Sequence, residues 1–583
     1  MAIDLQLEEP AVREIRTRSV TGYEGTLKDL TEQGCRGCLK NKERCFTTGS
    51  YCAHLTAVTS VLGIPGTLVV DHAPIGCCGV EMTFIGGYSM NDPGPGGEYR
   101  DNVRMFTTKF TESDTVFGAA DKLRETVRGA FERHHPLEIY IATSCTSAII
   151  GEDVGAVADE LTEELGIPVT VLGAAGMRSN IWSVGFESHF HAVGKTRFRP
   201  SVVKTNTIIY AGFASLASET LAPVFQKLGL EMLFLTAGST VEDYQKASSA
   251  VVSFGQCDVD ASYILTYLEQ EYGVKYLHVH QPNGGIGFER FMKDLGAYLG
   301  KEKEAADAVA EEKKKYQEKI EALKPLLKGK TALVALGSGY VFEMVRMLKE
   351  LGMEAVHAVS YHYDPLIDAT PDRTARTPVA DVQELGMDVS VTVNNAQQME
   401  NYLAVKKYKP DIVITRAHGA GAWSAKAGVP CLDPGLGINI IGYRGLYLFA
   451  DALVSAFRNT AVFDSLKRRY QSPFTDEFES LEPGRFYKKA DGEEPRPGEI
   501  AGSSCGRRGA GRRGSCGGPM EGSGMRAGCG GPGDGSGLSV CDSKREVTGA
   551  GGMVHEDKGV TGVQQDLKKG NRISGKKEGS CHE

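Results

Sequence analysis

The sequence predicts an α/β protein of three doubly wound, parallel-sheet (Rossmann-like) domains followed by a disordered C-terminal tail. Three observations predict it. Short runs rich in Val, Ile and Leu alternate with stretches of helical periodicity, as expected for strands buried on both faces of a parallel sheet. Several of these runs end in Gly, Pro or other small residues, which suits turns at the C-terminal ends of strands. From about Pro495 the composition turns Gly- and Ser-rich, and such sequence buries too little apolar surface to offset its ordering entropy. The expected organisation is an N-terminal arm (1–50), a first α/β domain (51–204), a second (205–328), a third with closing helices (329–494), and the tail (495–583).

Residues 1 to 34 are polar and mixed, and read as an extended or helical arm. In the first domain Ala53 to Leu62 reads as a helix and Gly66 to His72 as a buried strand. That strand runs into Ala73-Pro-Ile-Gly-Cys77-Cys78-Gly, a turn carrying two thiols where parallel sheets collect ligands. Thr83 to Tyr99 is a Gly/Pro-rich loop and Phe117 to Arg133 helical. Leu137 to Cys145 repeats the order of apolar strand, small residues and cysteine; helix 149–165 and strand 168–172 follow. In the second domain Asn206 to Tyr210 and Glu231 to Leu235 are strands, and Cys257 precedes an amphipathic helix ended by Gly273, with a strand over 274–279. The highly charged run Glu302 to Lys328 reads as a helical bridge with a solvated face. In the third domain strands at 331–336, 354–359, 389–393 and 411–415 alternate with helices. Gly337-Ser-Gly339 lacks the third glycine of a dinucleotide fingerprint and reads as a packing turn.

Composition excludes several classes. The formal net charge of -9 gives no reason to expect nucleic-acid binding. No run is long and apolar enough to span a membrane, and the acidic start lacks the features of a signal peptide. A cytoplasmic location is expected, in which the 14 cysteines are thiols or metal ligands rather than disulfides.

The cysteines carry the chemistry. A lone buried cysteine is ordinarily structural. Here Cys52, Cys77 and Cys145 stand beside turns or strand ends in one domain, and Cys257 at a helix start in the next, where free N–H groups favour a thiolate. Such a set suits iron–sulfur ligation. Cys35-Arg-Gly-Cys38 resembles half a zinc or iron–sulfur site, but Cys45 and Cys52 do not complete it. The five tail cysteines (505, 516, 529, 541, 581) are too widely spaced to read as a ligand set.

The segments Ser50-Tyr-Cys52-Ala, His72-Ala-Pro-Ile-Gly-Cys77 and Thr143-Ser-Cys145-Thr-Ser-Ala-Ile-Ile-Gly-Glu-Asp153 resemble the α-type subunit of nitrogenase component 1. So do Thr115-Val-Phe-Gly118, Cys257 with its helix, and Lys409-Pro-Asp411; the resemblance runs from about 45 to 460. It implies a cofactor held between the three domains. It further implies that Cys52, Cys77 and Cys145 are metal ligands supplying one subunit's share of a P-cluster-type iron–sulfur cluster. Cys257 becomes the metal-ligating, cofactor-binding thiolate of a large nitrogenase-type iron–sulfur cofactor, its heterometal undetermined. The implied partners are a β-type subunit in an α2β2 heterotetramer, an ATP-hydrolysing iron protein as electron donor, and a small-molecule substrate.

Two departures bear on the reaction. The family's late histidine ligand has no counterpart in Gly428 to Gly445, which leaves Cys431, His418 and His362 as candidates for the second cofactor ligand. Where the family places a glutamine and a histidine by the cofactor, Gly176-Met-Arg178 is followed by Trp182 and Phe186. Aromatics there make a more apolar pocket and remove a proton donor, which favours a bulkier, less polar substrate over dinitrogen, although such aromatics also serve as ordinary core. The catalytic positions are therefore expected at Trp182 and Phe186, and the group these departures resemble is the methylthio-alkane reductases, which cleave C–S bonds reductively. A cofactor-assembly scaffold and a dinitrogen-reducing subunit are the alternatives.

Overall fold

The computed structural model describes residues 2–35, 39, 43–44, 52–82, 104–201, 203–212, 217–235, 239–255, 257–368, 376–416, 420–434 and 440–488. The tail with its five cysteines, Cys38, Cys45, His418 and the loop 83–99 lie outside the described residues.

The strands in chain order begin with β1 (Tyr23–Thr26) and β2 (Glu43–Arg44). The first sheet holds β3 (Thr67–His72), β4 (Met105–Thr107), β5 (Glu138–Thr143) and β6 (Val169–Gly173). The second holds β7 (Thr207–Ala211), β8 (Glu231–Leu235), β9 (Val252–Gly255) and β10 (Lys275–Tyr276). The third holds β11 (Thr331–Leu336), β12 (Glu354–Ser360), β13 (Ser390–Val393), β14 (Ile412–Thr415) and β15 (Cys431–Leu432), while β16 (Tyr487–Lys488) pairs antiparallel with β2.

The first two sheets are wholly parallel, in the orders β4-β3-β5-β6 and β10-β9-β7-β8. The third runs β1-β13-β12-β11-β14-β15 and is parallel except for β1. This is the expected fold class, and its physical basis is burial. Every residue of β3 and β5 is buried, so both faces of the sheet are covered and the strands read as continuous apolar runs.

The N-terminal segment is more integrated than an arm. Its β1 pairs with β13 from Tyr23↔Val393 to Thr26↔Ser390 and closes the edge of the third sheet. Two expected helices are broken by glycines at positive φ, Gly118 (86°) and Gly151 (70°), so that Glu112–Phe117 precedes Ala120–His134 and Cys145–Ile150 precedes Val154–Leu165. The expected strand over 274–279 contracts to two residues, because only Lys275 and Tyr276 find partners on β9. Helix Glu302–Leu327 is not solvated all round. It buries Ala305, Ala308, Ile320 and Leu327 and packs on helices Gly284–Leu299 and Gly442–Arg458.

One core joins the first and second sheets through Val69, Tyr140, Leu172, Ile209, Ile264 and Leu268. A larger one joins the second and third through Phe225, Phe254, Phe291, Val334 and Leu336. No helix among the described residues is long and apolar enough to cross a membrane.

Candidate functional site

The first group of thiols lies at the C-terminal edge of the first sheet. Cys52 is the N-cap of helix Ala53–Leu62, and the Leu55 backbone N–H donates to its Sγ at 3.5 Å. Cys145 opens its own short helix, which Ser144 and Ser147 close with a reciprocal capping box. Cys77 follows β3 in a helical turn, with its N–H on Pro74 O at 3.0 Å.

Two polar contacts hold these segments in register. His72 Nε2 lies 2.7 Å from Glu152 Oε2, and Ser144 Oγ donates to His72 O at 2.8 Å. The His72-to-Cys77 and Ser144-to-Asp153 motifs are thus halves of one scaffold.

The thiols converge. A Cβ at Gly176 would lie 3.4 Å from Cys52 Sγ and 3.6 Å from Cys145 Sγ, so a side chain there would crowd both sulfurs. Burial pushes the Cys77 thiol up, and the charges around it include His54 and Cys52, which places it with the other two. Neighbouring Cys78 is pushed up to about 11 by burial, then by Asp71 and Glu81. Cys52 is exposed, and Cys77 and Cys145 are half-buried. Around them Ile75, Val80, Met82, Phe117, Ile149 and Met177 are exposed, Phe117 at 85%. The three thiols thus lie on an open face with exposed apolar side chains around it.

Cys257 is the opposite case: it is 2% exposed and is the N-cap residue of helix Asp258–Tyr272. Its Sγ faces Gly339, where any Cβ would overlap it. The packing turn read from Gly337-Ser-Gly339 therefore has a second role, giving the thiol room.

Segments associated with all three sheets meet beside this thiol. Arg13 is fully buried; its Nε donates to Glu187 Oε2 at 3.0 Å, and its other nitrogens reach the Val259 carbonyl and Asp364 (3.9 Å). It thereby ties helix Val184–Arg197, the first turn of the Cys257 helix and the loop after β12. In that loop His362 Nδ1 donates to Asp364 Oδ2 at 2.6 Å, which leaves Nε2 to accept from Ser183 Oγ at 3.3 Å. Burial alone would raise Asp364, but the His362 ring, the Arg13 guanidinium and the Ser19 hydroxyl hold it well below the usual range. Asp368, which accepts from Ser338 Oγ at 2.6 Å, is pushed up to about 7 by burial, with Asp364 next.

Trp182 precedes Ser183 on the turn that opens helix Val184–Arg197, and Phe186 lies in the first turn of that helix. Their rings meet edge to face at 5.6 Å, Phe186 buried and Trp182 half-buried. Of the candidate second ligands, His362 lies in the junction just described. Cys431 lies against Gly421 and is pushed up to about 12 by burial, with Asp433 next.

Sequence reasoning missed one buried cluster. His54, Asp71 and Glu81 bring their ligand atoms within 4.8 Å of one another. Its only signals were spacings: His54 two residues after Cys52, and Glu81 four after Cys77, on the same helical face.

A family model described as nitrogenase component 1 type oxidoreductase matches residues 52–458. The nitrogenase molybdenum-iron protein alpha chain of Clostridium pasteurianum is 28% identical over 324 residues, 53% of this chain and 59% of that one, so the match spans less than two thirds of that relative's length. The alpha chain of Methanothermobacter marburgensis is 27% identical over 436 residues, covering 71% and 89%. The nitrogenase iron-molybdenum cofactor biosynthesis protein NifE of Methanococcus maripaludis is 25% identical over 413 residues, covering 68% and 80%. Among solved structures, nitrogenase Cp1 at pH 5 superposes with a TM-score of 0.61 at 24% identity, covering 74% of this chain and 92% of that one. With its three parallel sheets and this family match over most of its length, the chain belongs to the nitrogenase component 1 type oxidoreductases.

Proposed function

We propose that the chain is the catalytic α-type subunit of a nitrogenase-like reductase that cleaves C–S bonds of small methylthio-alkanes. Cys52, Cys77 and Cys145 would hold this subunit's share of a P-cluster-type cluster, and Cys257 would hold a large iron–sulfur cofactor. The residues fit these groups. Cys52 and Cys145 gather beside Gly176, with Cys77 near Cys52, on an apolar-rimmed face that a β-type subunit would cover in an α2β2 assembly. The fourth is buried beside segments of all three sheets, against a glycine that leaves it space. When bound, such clusters supply the electron storage and substrate reduction. An ATP-hydrolysing iron protein would be the electron donor.

The observation that carries the substrate reading is the Trp182–Phe186 pair on the turn joined to His362 through Ser183. Two aromatic rings there exclude water and favour an apolar sulfide over a small polar reactant. They donate no proton to a substrate as a histidine does, so the nearest imidazole to that turn is His362, oriented by Asp364 through Nδ1. The reaction takes two electrons and two protons and converts dimethyl sulfide to methane and methanethiol. A second reading, a cofactor-assembly scaffold, is favoured by the similarity to NifE over 68% of this chain.

The test uses protein purified without oxygen together with its partner subunit. Iron, molybdenum and vanadium are determined per chain, and the sample is assayed with iron protein, ATP and reductant on dinitrogen and on dimethyl sulfide. High iron with methane and thiol released supports the C–S reductase. High iron without turnover, with transfer of the cluster to an apo-acceptor, supports the scaffold. Ammonia production overturns the substrate reading, and iron near zero overturns the cluster assignment.

A further inference from the structure

Beneath the exposed thiols lies a buried polar cluster to which neither the resemblance nor the proposed reaction gives a role. His54 is 3% exposed, Asp71 0% and Glu81 1%. His54 Nε2 stands 2.9 Å from Asp71 Oδ1 and 3.0 Å from Glu81 Oε1. On its other side His54 Nδ1 is 3.1 Å from the Thr143 carbonyl. A carbonyl oxygen only accepts, so Nδ1 carries a hydrogen and Nε2 faces two carboxylates, which outweigh burial and raise the ring well above the usual imidazole range. Asp71 Oδ2 and both Glu81 oxygens make no hydrogen bond among the described residues.

Two buried carboxylates converging on one ring nitrogen need a positive charge between them. We propose that His54 Nε2, Asp71 and Glu81 bind a divalent transition-metal ion, distinct from the clusters on the four cysteines. Three features point to such an ion. One imidazole and two carboxylates make a donor set for zinc or iron(II), with no soft ligand. Donors about 2.1 Å from an ion and mutually cis stand roughly 3.0 Å apart, close to the observed spacing from Nε2 to both carboxylates. The Thr143 carbonyl holding Nδ1 is the outer-shell contact that orients metal-ligating histidines. The ion also leaves the buried group electrically neutral, with two carboxylates against two positive charges.

The site lies beside the first thiol group, since His54, Asp71 and Glu81 all contribute to the charge felt at Cys77. An ion there cancels two carboxylate charges that would otherwise oppose a thiolate at Cys77. The inference does not depend on the substrate reading or on cluster loading.

The test uses the full chain purified free of iron and titrated with Co2+ and with Zn2+. The expected result is one ion per chain, giving cobalt d–d absorption without the thiolate-to-cobalt charge-transfer band. X-ray absorption of the zinc form should show N/O neighbours at about 2.0–2.1 Å rather than sulfur at about 2.3 Å. His54→Gln, Asp71→Asn and Glu81→Gln should each weaken binding at least tenfold with unchanged far-UV circular dichroism. A Cys52→Ser/Cys77→Ser/Cys145→Ser variant should keep it. The proposal is overturned by sulfur ligation lost in the triple variant, by affinity unchanged in both Asp71→Asn and Glu81→Gln, or by no binding to the folded parent chain. The last outcome would assign the cluster to an imidazolium held by two carboxylates.

Discussion

Replacing Arg13 with methionine removes a buried cation that reaches segments of all three sheets beside the buried thiol. The side chain is 0% exposed, as are Glu187 and Asp364. Methionine fills much of the same volume, so the loss is electrostatic rather than a cavity. Breaking a buried pair by removing one partner costs about 3–5 kcal/mol. Both carboxylates keep other partners, Arg16 for Glu187 and Thr17, Ser19 and His362 for Asp364, so the low end applies, about 3 kcal/mol or roughly two decades in the folding equilibrium. With a urea slope of about 3 kcal/mol per molar, the midpoint should fall by about 1 M. The chain has two tryptophans, so a Trp423→Phe background leaves Trp182, on the turn beside Ser183, as the sole fluorescent reporter. A double-mutant cycle with Glu187→Gln should show coupling of about 1–3 kcal/mol. A midpoint within about 0.2 M of the parent, or additive effects, would refute the idea that Arg13 fixes this junction.

Gly339→Ala should cost about 1–3 kcal/mol by overpacking and displace Cys257, read as a lower urea midpoint with faster maleimide labelling at Cys257; a parent-like midpoint and labelling rate would contradict the packing. His357 stacks on Tyr408 at 4.3 Å, and burial, then Lys407, pulls it down to about 3. Between about pH 6.5 and that value the unfolded chain holds a proton the folded chain lacks, so this stability is complete above pH 6.5 and declines by about 1.4 kcal/mol per unit as pH falls. The stability gap between parent and His357→Gln should therefore narrow from pH 6.5 to 5, and a constant gap would show that the ring titrates normally. Phe254 meets Tyr210, Phe225 and Phe291 at 5.4, 5.8 and 4.8 Å, so Phe254→Ala should destabilise by about 3–5 kcal/mol, measured by the same denaturation.

The strands of the parallel sheets were legible because their burial is local information. Glu231–Leu235 matches its expected bounds, Gly66 to His72 differs from the observed strand by one residue, and the strand Glu138–Thr143 lies within the expected run from Leu137 to Cys145. A strand covered on both faces needs apolar side chains at every position, whatever its neighbours are. The same holds for Cys257 at its helix start, since the Gly273 stop and the helical pattern lie within the segment. The edge strand Tyr23–Thr26 had no such signature: its sequence, Tyr-Glu-Gly-Thr, becomes a strand only because β13 offers an open edge.

The sequence by itself determined the fold class, the family and the four thiols, because periodicity, turn residues and cysteine motifs are written in consecutive residues. Tertiary structure alone decided what surrounds those thiols. Arg13 and Glu187 are 174 residues apart, and His54 and Thr143 are 89 apart. A buried charge is tolerated only where another chain segment brings its partner, and no local pattern records which segment that is.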